Sequence, residues 1–356
     1  MQGYKSRLAM GVEASFGAAA SFDSLVPFTS ESISKMKEMV ESGFLDGTVG
    51  VKQLYQSFEN VQGAIAGEAV VDVIAGDDYG WDNVLYAALG GATFLSSQNI
   101  YSVQSALKSL TVGVNKYHGS TVKLWEAIGM KVKTLNIVGS ASNEGGKVSW
   151  NAELQGKKLY RTGDAGITNS ASDVTNLAPT SKPENIMMSN LTFQIGDQSN
   201  ALAAGDQLGI NGFEINIDNA LTDPEYASIT SSHSDGSLPI EPERGDRNRV
   251  NFSITMPRLS SLQFFDNFNG NGSLQAKLSF AQSGSKQFDI YLPYLKVMED
   301  PAAPIEGAGI INHTVNFQAV WNTVNINPYM LISSTFGSLV GPIVIGHKSY
   351  RTAIPA

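Results

Sequence analysis

The chain has 356 residues, a formal net charge of −9 at pH 7 and 16% charged residues. This length can bury two ordinary cores, and the negative charge argues against a protein that grips nucleic-acid phosphates, because that task needs clustered Lys and Arg. With 0 cysteines and 35 glycines, disulfide scaffolds, cysteine-ligated zinc and thiolate catalysis are excluded, and sheets joined by turns are favoured over long helices.

The first 60 residues contain three different patterns. Residues 1–28 lack a clear period and carry many small residues, which predicts an extended N-terminal arm. From Thr29 to Gly43 the residues fit either a helix, with Ile33 and Met36 on one face, or a strand, and the residues alone do not decide. Residues 44–60 are punctuated by glycine and then mix polar with aromatic side chains, which predicts a long projecting hairpin or loop.

The rest of the first half predicts four strands and one short helix. The helix runs from Asp82 to Leu89, with Asp82 as its N-cap and Gly90 at its end. A turn at residues 143–146 makes a hairpin of the last two strands. The predicted strands lie near Val70–Ile74, Leu110–Val114, Val132–Ile137 and Val148–Leu154.

Residues 166–185 are rich in Thr, Ser, Asn and Asp and predict a linker, which divides the chain into residues 1–165 and 186–356. The second half then repeats the order of the first: a strand, a short helix around Leu262 and Phe265, and three more strands. A long polar loop, residues 222–248, occupies the place of residues 44–60. The strands of the second half are predicted near Leu191–Ile195, Phe213–Ile217, Val250–Met256, Leu274–Phe280, Phe288–Leu292 and Val315–Trp321.

The duplicated order predicts a mainly β fold, a sandwich or barrel with short flanking helices, built as two tandem modules with long projecting loops. Two similar modules in one chain can stand in for two subunits of a ring. Assembly is therefore the first function to test.

Catalytic and metal motifs are missing from the sequence. The four histidines are not at metal-ligand spacing, and the serines lack a Gly-x-Ser-x-Gly elbow. We therefore expect no catalytic, cofactor or metal site, and the protein is predicted not to be an enzyme. Residues 1–20 lack the apolar run of a signal peptide, and residues 329–345 favour a C-terminal strand or arm over a membrane helix.

Several short motifs occur in an order that resembles the phage tail tube protein family. The resemblance covers residues 1 to about 160 well, whereas the second half matches by pattern more than by motif. In that family the segment from Ser30 to Val40 is a strand, so we expect a strand here. The motifs are Gly11-x-Glu13-x-x-Phe16-Gly17, Val26-Pro27-Phe28, Ser30-Glu31-Ser32-Ile33, then Gly63, Gly67 and Glu68, then Leu85, Ala88, Leu89 and Gly90, and the hairpin Val132–Gly156 with Leu154 and Gly156 at its end.

The resemblance implies a structural protein that forms stacked rings around a hollow conduit for DNA ejection. If each chain supplies two modules, three chains give a pseudo-hexameric ring, which the duplication favours; if only the first half counts, six chains are needed. The implied partners are other copies of the chain, tail completion and tail-tip initiator proteins, a tape measure protein in the lumen, and DNA that passes without tight binding. The implied location is the virion tail, after synthesis in the host cytoplasm and without a membrane.

Two groups of residues follow as candidates for these roles. The projecting loops and both termini are the expected ring-to-ring contacts, and the polar faces of the strands are the expected lumen lining. The ring-stacking candidates are Phe44, Leu54, Tyr55, Phe58, Glu241, Arg244 and Arg247, and the lumen candidates are Asn151, Glu153, Asn216 and Asp218.

The alternative function is a glycan-binding or adhesive β-sandwich. Such a module needs an exposed aromatic platform, and the candidates for it are Trp81, Tyr101 and Trp125.

Overall fold

A computed structural model describes residues 3–41, 54–71, 79–95, 98–142, 144–177, 182–226, 238–257, 263–281, 287–301, 313–321 and 341–347. Strands predominate in these ranges, so the predicted mainly β class is confirmed. Within the same ranges, no helix is long and apolar enough to cross a membrane.

Along the chain, runs of strands are separated by single short helices. The first-half strands are β1 (Arg7–Val12), β2 (Ser24–Val26), β3 (Phe28–Glu31), β4 (Ser34–Glu41), β5 (Leu54–Glu68), β6 (Val70–Val71), β7 (Gly90–Leu95), β8 (Gln98–Val103), β9 (Leu110–His118), β10 (Thr121–Ser140), β11 (Val148–Gly156) and β12 (Lys158–Arg161). The later strands are β13 (Glu184–Asn185), β14 (Leu191–Asp197), β15 (Gly212–Asp218), β16 (Arg249–Met256), β17 (Leu274–Ala281), β18 (Gln287–Val297), β19 (His313–Ala319) and β20 (Val344–His347). The α-helices are α1 (Trp81–Leu89), α2 (Ala171–Asn176) and α3 (Gln263–Asn269).

Strand β10, at 20 residues, organises the fold because its two ends belong to different sheets. Its first part pairs with β9 and β12, and its last part, from Thr134 onward, pairs with β15. A register shift against β11 between Val132 and Thr134 marks the change of sheet. Such a bulge re-aims a strand and increases its twist.

The last part of β10 lies in the middle of a seven-stranded antiparallel sheet. Its order is β4–β5–β11–β10–β15–β16–β19. Along β15 and β16 apolar side chains on one face alternate with polar side chains on the other, which is the pattern of a half-buried strand.

A second antiparallel sheet, β14–β17–β18–β20–β8–β7, packs on the apolar face of the first. Phe213 of β15 meets Phe280 of β17 with ring centroids 5.9 Å apart, and Phe193 of β14 meets Phe252 of β16 at 6.1 Å. The core between the sheets is one continuous cluster of buried residues that draws on both halves of the chain. This is the packing of a β-sandwich.

A third group of strands, β2–β1–β9 with the first part of β10, has helix α2 against one face. Val174 of α2 is fully buried beside Ala9 of β1 and Leu124 of β10. The prediction of an extended arm is therefore wrong for residues 7–12, because five consecutive residues of this strand, 8–12, are buried in a sheet. Residues 166–177, predicted to be linker, are likewise packed on the fold.

The same neighbour order occurs in both halves. In the first half β11 lies between β5 and β10, and β10 pairs with β9; in the second half β19 lies between β16 and β18, and β18 pairs with β17. Even the register shifts correspond, between Ala127 and Met130 on β10 and between Leu292 and Leu295 on β18. The division into two tandem modules around a 166–185 linker stays a prediction.

Several local predictions can be compared with the structure. Residues Ser34–Glu41 form strand β4, as the family resemblance implied. Helix α1 ends at Gly90, whose left-handed φ of 86° a side chain would strain, as predicted. Its predicted N-cap is wrong, because Gly80 occupies that position and Asp82 is buried in the first turn.

Two predictions at the C-terminal side also need correction or lie partly outside the described residues. The strand predicted to reach Trp321 ends at Ala319, and the Trp321 side chain is exposed. Of residues 329–345, only 341–345 are described, and they lead into strand β20, which pairs with β18 and β8 of the same chain.

Candidate functional site

The solvent-side face of the seven-stranded sheet carries a row of amide side chains. Asn136 of β10 lies opposite Asn151 of β11 on one side and Asn216 of β15 on the other. Asn216 in turn lies opposite Asn251 of β16, which lies opposite Gln318 of β19. Because directly opposed residues of antiparallel strands project to the same side, these five side chains form one band across the sheet.

The charges on this face are mainly negative. Glu214 accepts a hydrogen bond from Asn136 Nδ2 at 2.9 Å, and Glu153 and Asp218 lie on either side of Thr134. The cations beside the face are each matched by a carboxylate: Lys147 by Glu68 at 2.6 Å, Lys133 by Asp223 at 3.8 Å and Arg249 by Asp246 at 3.1 Å. In the part of the chain that the structure describes, the face therefore offers mainly amides and carboxylates, and these three cations are paired.

All four predicted lumen residues lie on this face. Asn151 and Asn216 flank Asn136 in the amide row, and Glu153 and Asp218 occupy the next row along the strands. Each is at least partly exposed, since the strand alternation buries their neighbours instead. Their role as lumen lining stays a prediction.

The hairpin of β4 and β5 presents apolar side chains to solvent. Leu54, Tyr55 and Phe58 of β5 are 53%, 49% and 41% exposed. On β4, Met36 and Met39 are 51% and 50% exposed, and Val40 is also exposed. The projecting hairpin was predicted, although residues 54–60 are part of strand β5; Phe44 lies outside the described residues.

Tyr226, at the start of the polar loop 222–248, packs on the same hairpin. Tyr226 stacks on Phe58 with centroids 4.2 Å apart, and its hydroxyl accepts a hydrogen bond from Asn60 Nδ2 at 3.0 Å. The two predicted projecting segments therefore touch within one chain.

The charged stacking candidates of this loop differ in their surroundings. Glu241 forms an ion pair with the buried Lys131 at 2.7 Å. Arg244 donates to the Gln104 carbonyl at 2.6 Å and to Asn219 Oδ1 at 3.0 Å, and burial lowers the pKa of its guanidinium. Arg247 is exposed. Glu241 and Arg244 thus hold the loop to its own chain, and a stacking role for these three residues stays a prediction.

The structural role of Glu13 was not predicted from the sequence, although the residue was part of a quoted motif. The Glu13 side chain is buried and accepts hydrogen bonds from Gly17 N at 2.8 Å, Thr111 Oγ1 at 2.9 Å and Gly129 N at 2.8 Å. Gly17 has a φ of 73°, which favours glycine. The Gly-x-Glu-x-x-Phe-Gly motif is therefore a turn closed by its own carboxylate.

A second unpredicted pair joins helix α1 to the C-terminal strand. His347 Nδ1 of β20 lies 2.6 Å from Asp82 Oδ1, and both side chains are buried. The two residues are 265 positions apart in the chain, so no local pattern could have indicated this contact.

The alternative sites find less support in the geometry. Trp81 and Tyr101 are 1% and 0% exposed, and therefore cannot form an exposed glycan platform. Trp125 is covered by two cations, Lys116 at 4.2 Å and Arg161 at 4.6 Å from its ring. Among the described residues, no group of three or more His, Asp or Glu side chains is arranged to hold a metal ion.

Comparisons with known proteins bear on the identity of this fold. No curated protein matches the chain. A solved structure described as the cryo-EM structure of the anti-feeding prophage cap (AFP tube terminating cap) is similar with 13% identity and a TM-score of 0.26, covering 45% of this chain and 89% of that chain. The family model "Phage tail tube protein" matches residues 3–319. The chain therefore belongs to the phage tail tube protein family, and its role is a structural one in the tail tube of the virion.

Proposed function

We propose that three copies of this chain form a pseudo-hexameric ring, and that stacked rings form a tube whose lumen is lined by the amide-rich face. The observation that carries the proposal is the seven-stranded sheet itself. Strands from both halves of the chain contribute to it side by side, and one of its faces carries a row of amide side chains across five strands.

The repeated neighbour order supports the count of three. Each chain carries the order β5–β11–β10–β9 and its counterpart β16–β19–β18–β17. If each order acts as one tube module, on the division 1–165 and 186–356, three chains supply the six modules of a ring. A ring of six chains is the alternative, in which only the first half takes the place of a tube module.

The chemistry of the polar face suits a conduit. DNA binds proteins mainly through its phosphates, which need unpaired Lys or Arg. Asn136, Asn216 and Asn251 are neutral, while Glu153 and Asp218 repel phosphate. DNA would therefore pass during ejection without being held, and a tape measure protein could occupy the same lumen before ejection.

The exposed hairpin and the 222–248 loop are the proposed contacts between stacked rings. Leu54, Tyr55 and Met39 expose apolar surface that a second copy would bury. A head-to-tail contact of this kind does not close on itself and so yields an open tube. Tail completion and tail-tip initiator proteins would bind the two ends of that tube, assembled from protein made in the host cytoplasm. We propose no enzymatic activity.

Electron microscopy of the purified chain tests this proposal. We expect rings or tubes in negative stain, and class averages and particle mass should count three chains in each ring. Six chains in a ring would select the hexameric alternative. A chain that remains monomeric at high concentration, with and without a tail-tip initiator, would contradict the proposed function.

A further inference from the structure

Strand β4 is an edge strand with a distinctive charge. Among the described strands it pairs with β5 alone, and no described strand pairs with the backbone N–H and C=O groups of its other edge. It carries Lys35 and Lys37, and both reach the same carboxylate, Glu59, at 3.4 and 3.0 Å. Lys35 and Lys37 thus form a pair of cations in the first half of β4, and Glu38 and Glu41 follow in the same strand.

The chain contains an internal counterpart of this edge. In the second half, β15 pairs with β16 as β4 pairs with β5 in the first half. The opposite edge of β15 is filled, because it pairs with Thr134–Ser140 of β10. The junction between β10 and β15 therefore indicates what should lie beside β4.

The registers of the paired strands show which residues of the two halves are equivalent. The matching shifts make Met130 of β10 equivalent to Leu295 of β18, because Met130 lies opposite Leu110 and Leu295 lies opposite Leu274. Counting onward, Thr134 corresponds to Glu299, and Leu135 corresponds to Asp300. Both acidic residues are exposed and directly follow β18.

The same comparison shows which residues of β15 are equivalent to those of β4. Gln155 lies opposite Lys131 and Gln62, as Gln318 lies opposite Lys296 and Asn251. Gln62 is thus equivalent to Asn251, and their partners Ser34 and Asn216 are equivalent as well. Met36 then corresponds to Asp218, which lies opposite Thr134 within the chain.

We infer that β4 of one copy pairs antiparallel with Glu299 and Asp300 of a neighbouring copy, with Met36 opposite Glu299 and Lys35 opposite Asp300. This seam rests on the proposed ring and gives its lateral contact a register. At the internal junction the pair equivalent to Lys35 and Asp300 is Ile217 and Leu135, both fully buried. The seam replaces this apolar pair with opposite charges, which keep the two edges soluble while they are exposed to water before assembly.

The contact is heterologous, because the edge that β4 provides differs from the edge that Glu299 and Asp300 provide. Such contacts generate a closed ring when the rotation between copies closes. A charge pair also fixes register, since a slip of one residue would turn Lys35 and Asp300 to opposite faces. The same polar sheet face would then continue across the seam.

Engineered cysteines test the register, and the absence of native cysteine leaves no competing thiol. The variant Met36→Cys with Glu299→Cys should form a disulfide between copies in assembled rings. The two sites in one chain lie near opposite edges of a seven-stranded sheet, roughly 29 Å apart at about 4.8 Å per strand, too far for a disulfide within the chain. Non-reducing gels should show two- and three-chain bands that collapse on reduction.

The matched control is Met36→Cys with Asp300→Cys. In the proposed register these two positions are offset by one residue, so their side chains project to opposite faces of the sheet, and this variant should give at least tenfold less cross-linked product. Rings seen by microscopy without cross-linking of the first pair would overturn the seam and leave the proposed ring intact. Equal cross-linking of both pairs would overturn the register. Absence of rings from the unmodified chain would instead contradict the proposed function, and the seam with it.

Charge reversal gives a second test that needs no cysteine. Asp300→Lys would place a lysine opposite Lys35, and we expect loss of rings at concentrations where the unmodified chain assembles, while circular dichroism shows that the variant is folded. Asp266→Lys, an equal change at an exposed position of α3, should assemble normally. Normal ring formation by Asp300→Lys would count against the seam.

Discussion

A single buried carboxylate accounts for the opening motif of this family member. Glu13 satisfies two backbone N–H groups and one hydroxyl that would otherwise be buried without an acceptor. Leaving buried donors unpaired is far more costly than the hydrogen bonds are individually stabilising. The sequence reveals the motif, but only the fold reveals that Gly129, 116 positions away, is one of the partners.

Replacing Glu13 should therefore destabilise the chain strongly. For Glu13→Ala we expect a loss of about 3 kcal/mol or more in the free energy of unfolding, since up to three buried donors lose their acceptor. Thermal and urea unfolding would measure the change. Glu153→Ala, on the exposed sheet face, should stay within about 0.5 kcal/mol. Similar midpoints for both variants would contradict this account of the motif.

The buried Asp289 should make stability depend on pH. Burial raises the pKa of its carboxyl, and Lys277 at 3.9 Å and the Gln287 amide only partly oppose this. Between the ordinary pKa of 3.8 and the raised folded value, the folded chain holds a proton that the unfolded chain has lost. The contribution of Asp289 to the free energy of unfolding is therefore most favourable below this pH range, and it decreases as the pH rises through the range.

Asp289→Asn removes this titration. The unfolding midpoint of the variant relative to the unmodified chain should rise as the pH increases above the ordinary pKa of 3.8, and it should level off once the folded carboxyl has ionised. Asp197→Asn is a control of opposite sign, because hydrogen bonds from Ser199 lower the pKa of this exposed carboxyl. A difference between Asp289→Asn and the unmodified chain that does not vary with pH would refute the expectation.

Among the elements, strand β4 best separates local pattern from tertiary context. Its residues fit a helix or a strand because both of its faces are exposed or charged, so no alternation of buried and exposed residues appears in the sequence. Its pairing with β5 decides the matter, because a distant strand satisfies its backbone groups. The family resemblance gave the correct state where the residues alone did not.

The hairpin should matter for assembly more than for folding. Leu54→Gln removes exposed apolar surface, so we expect an unchanged unfolding midpoint and at least a tenfold higher concentration for tube formation. Sedimentation and negative stain would measure assembly. Phe268→Gln, at an exposed aromatic of α3, is the matched control and should assemble normally. Tubes of Leu54→Gln at the normal concentration would exclude the hairpin as a stacking contact.

At the scale of the whole molecule, the proposed lumen can be tested by making it basic. In Asn151→Lys with Asn216→Lys, tubes assembled with short duplex DNA should retain it, and retention should fall steeply with salt because phosphates are neutralised. Asn151→Gln with Asn216→Gln preserves the polarity and should retain none. Equal retention by both variants would place this sheet face outside the conduit.

The sequence by itself determined the fold class, most strand positions, the family and the polar faces. These features are local: alternation along a strand such as β16 and short motifs such as Gly11-x-Glu13 can be read from neighbouring residues. It could not determine that β10 bends between two sheets, because the bulge at Val132 depends on its pairing with β11. It also misplaced the N-cap of α1, since the partner of Asp82 is a histidine near the other end of the chain.

Only the tertiary structure decided that the two halves share one sheet and one core. The pairing of β10 with β15 is set by the packing of many distant apolar side chains, including Ile137 and Ile215, which no window of sequence contains. That pairing aligned the amide row from Asn151 to Gln318 and revealed the internal counterpart of the β4 edge. Periodicity assigns a residue to a face of its own strand, whereas register between strands arises only when the chain folds.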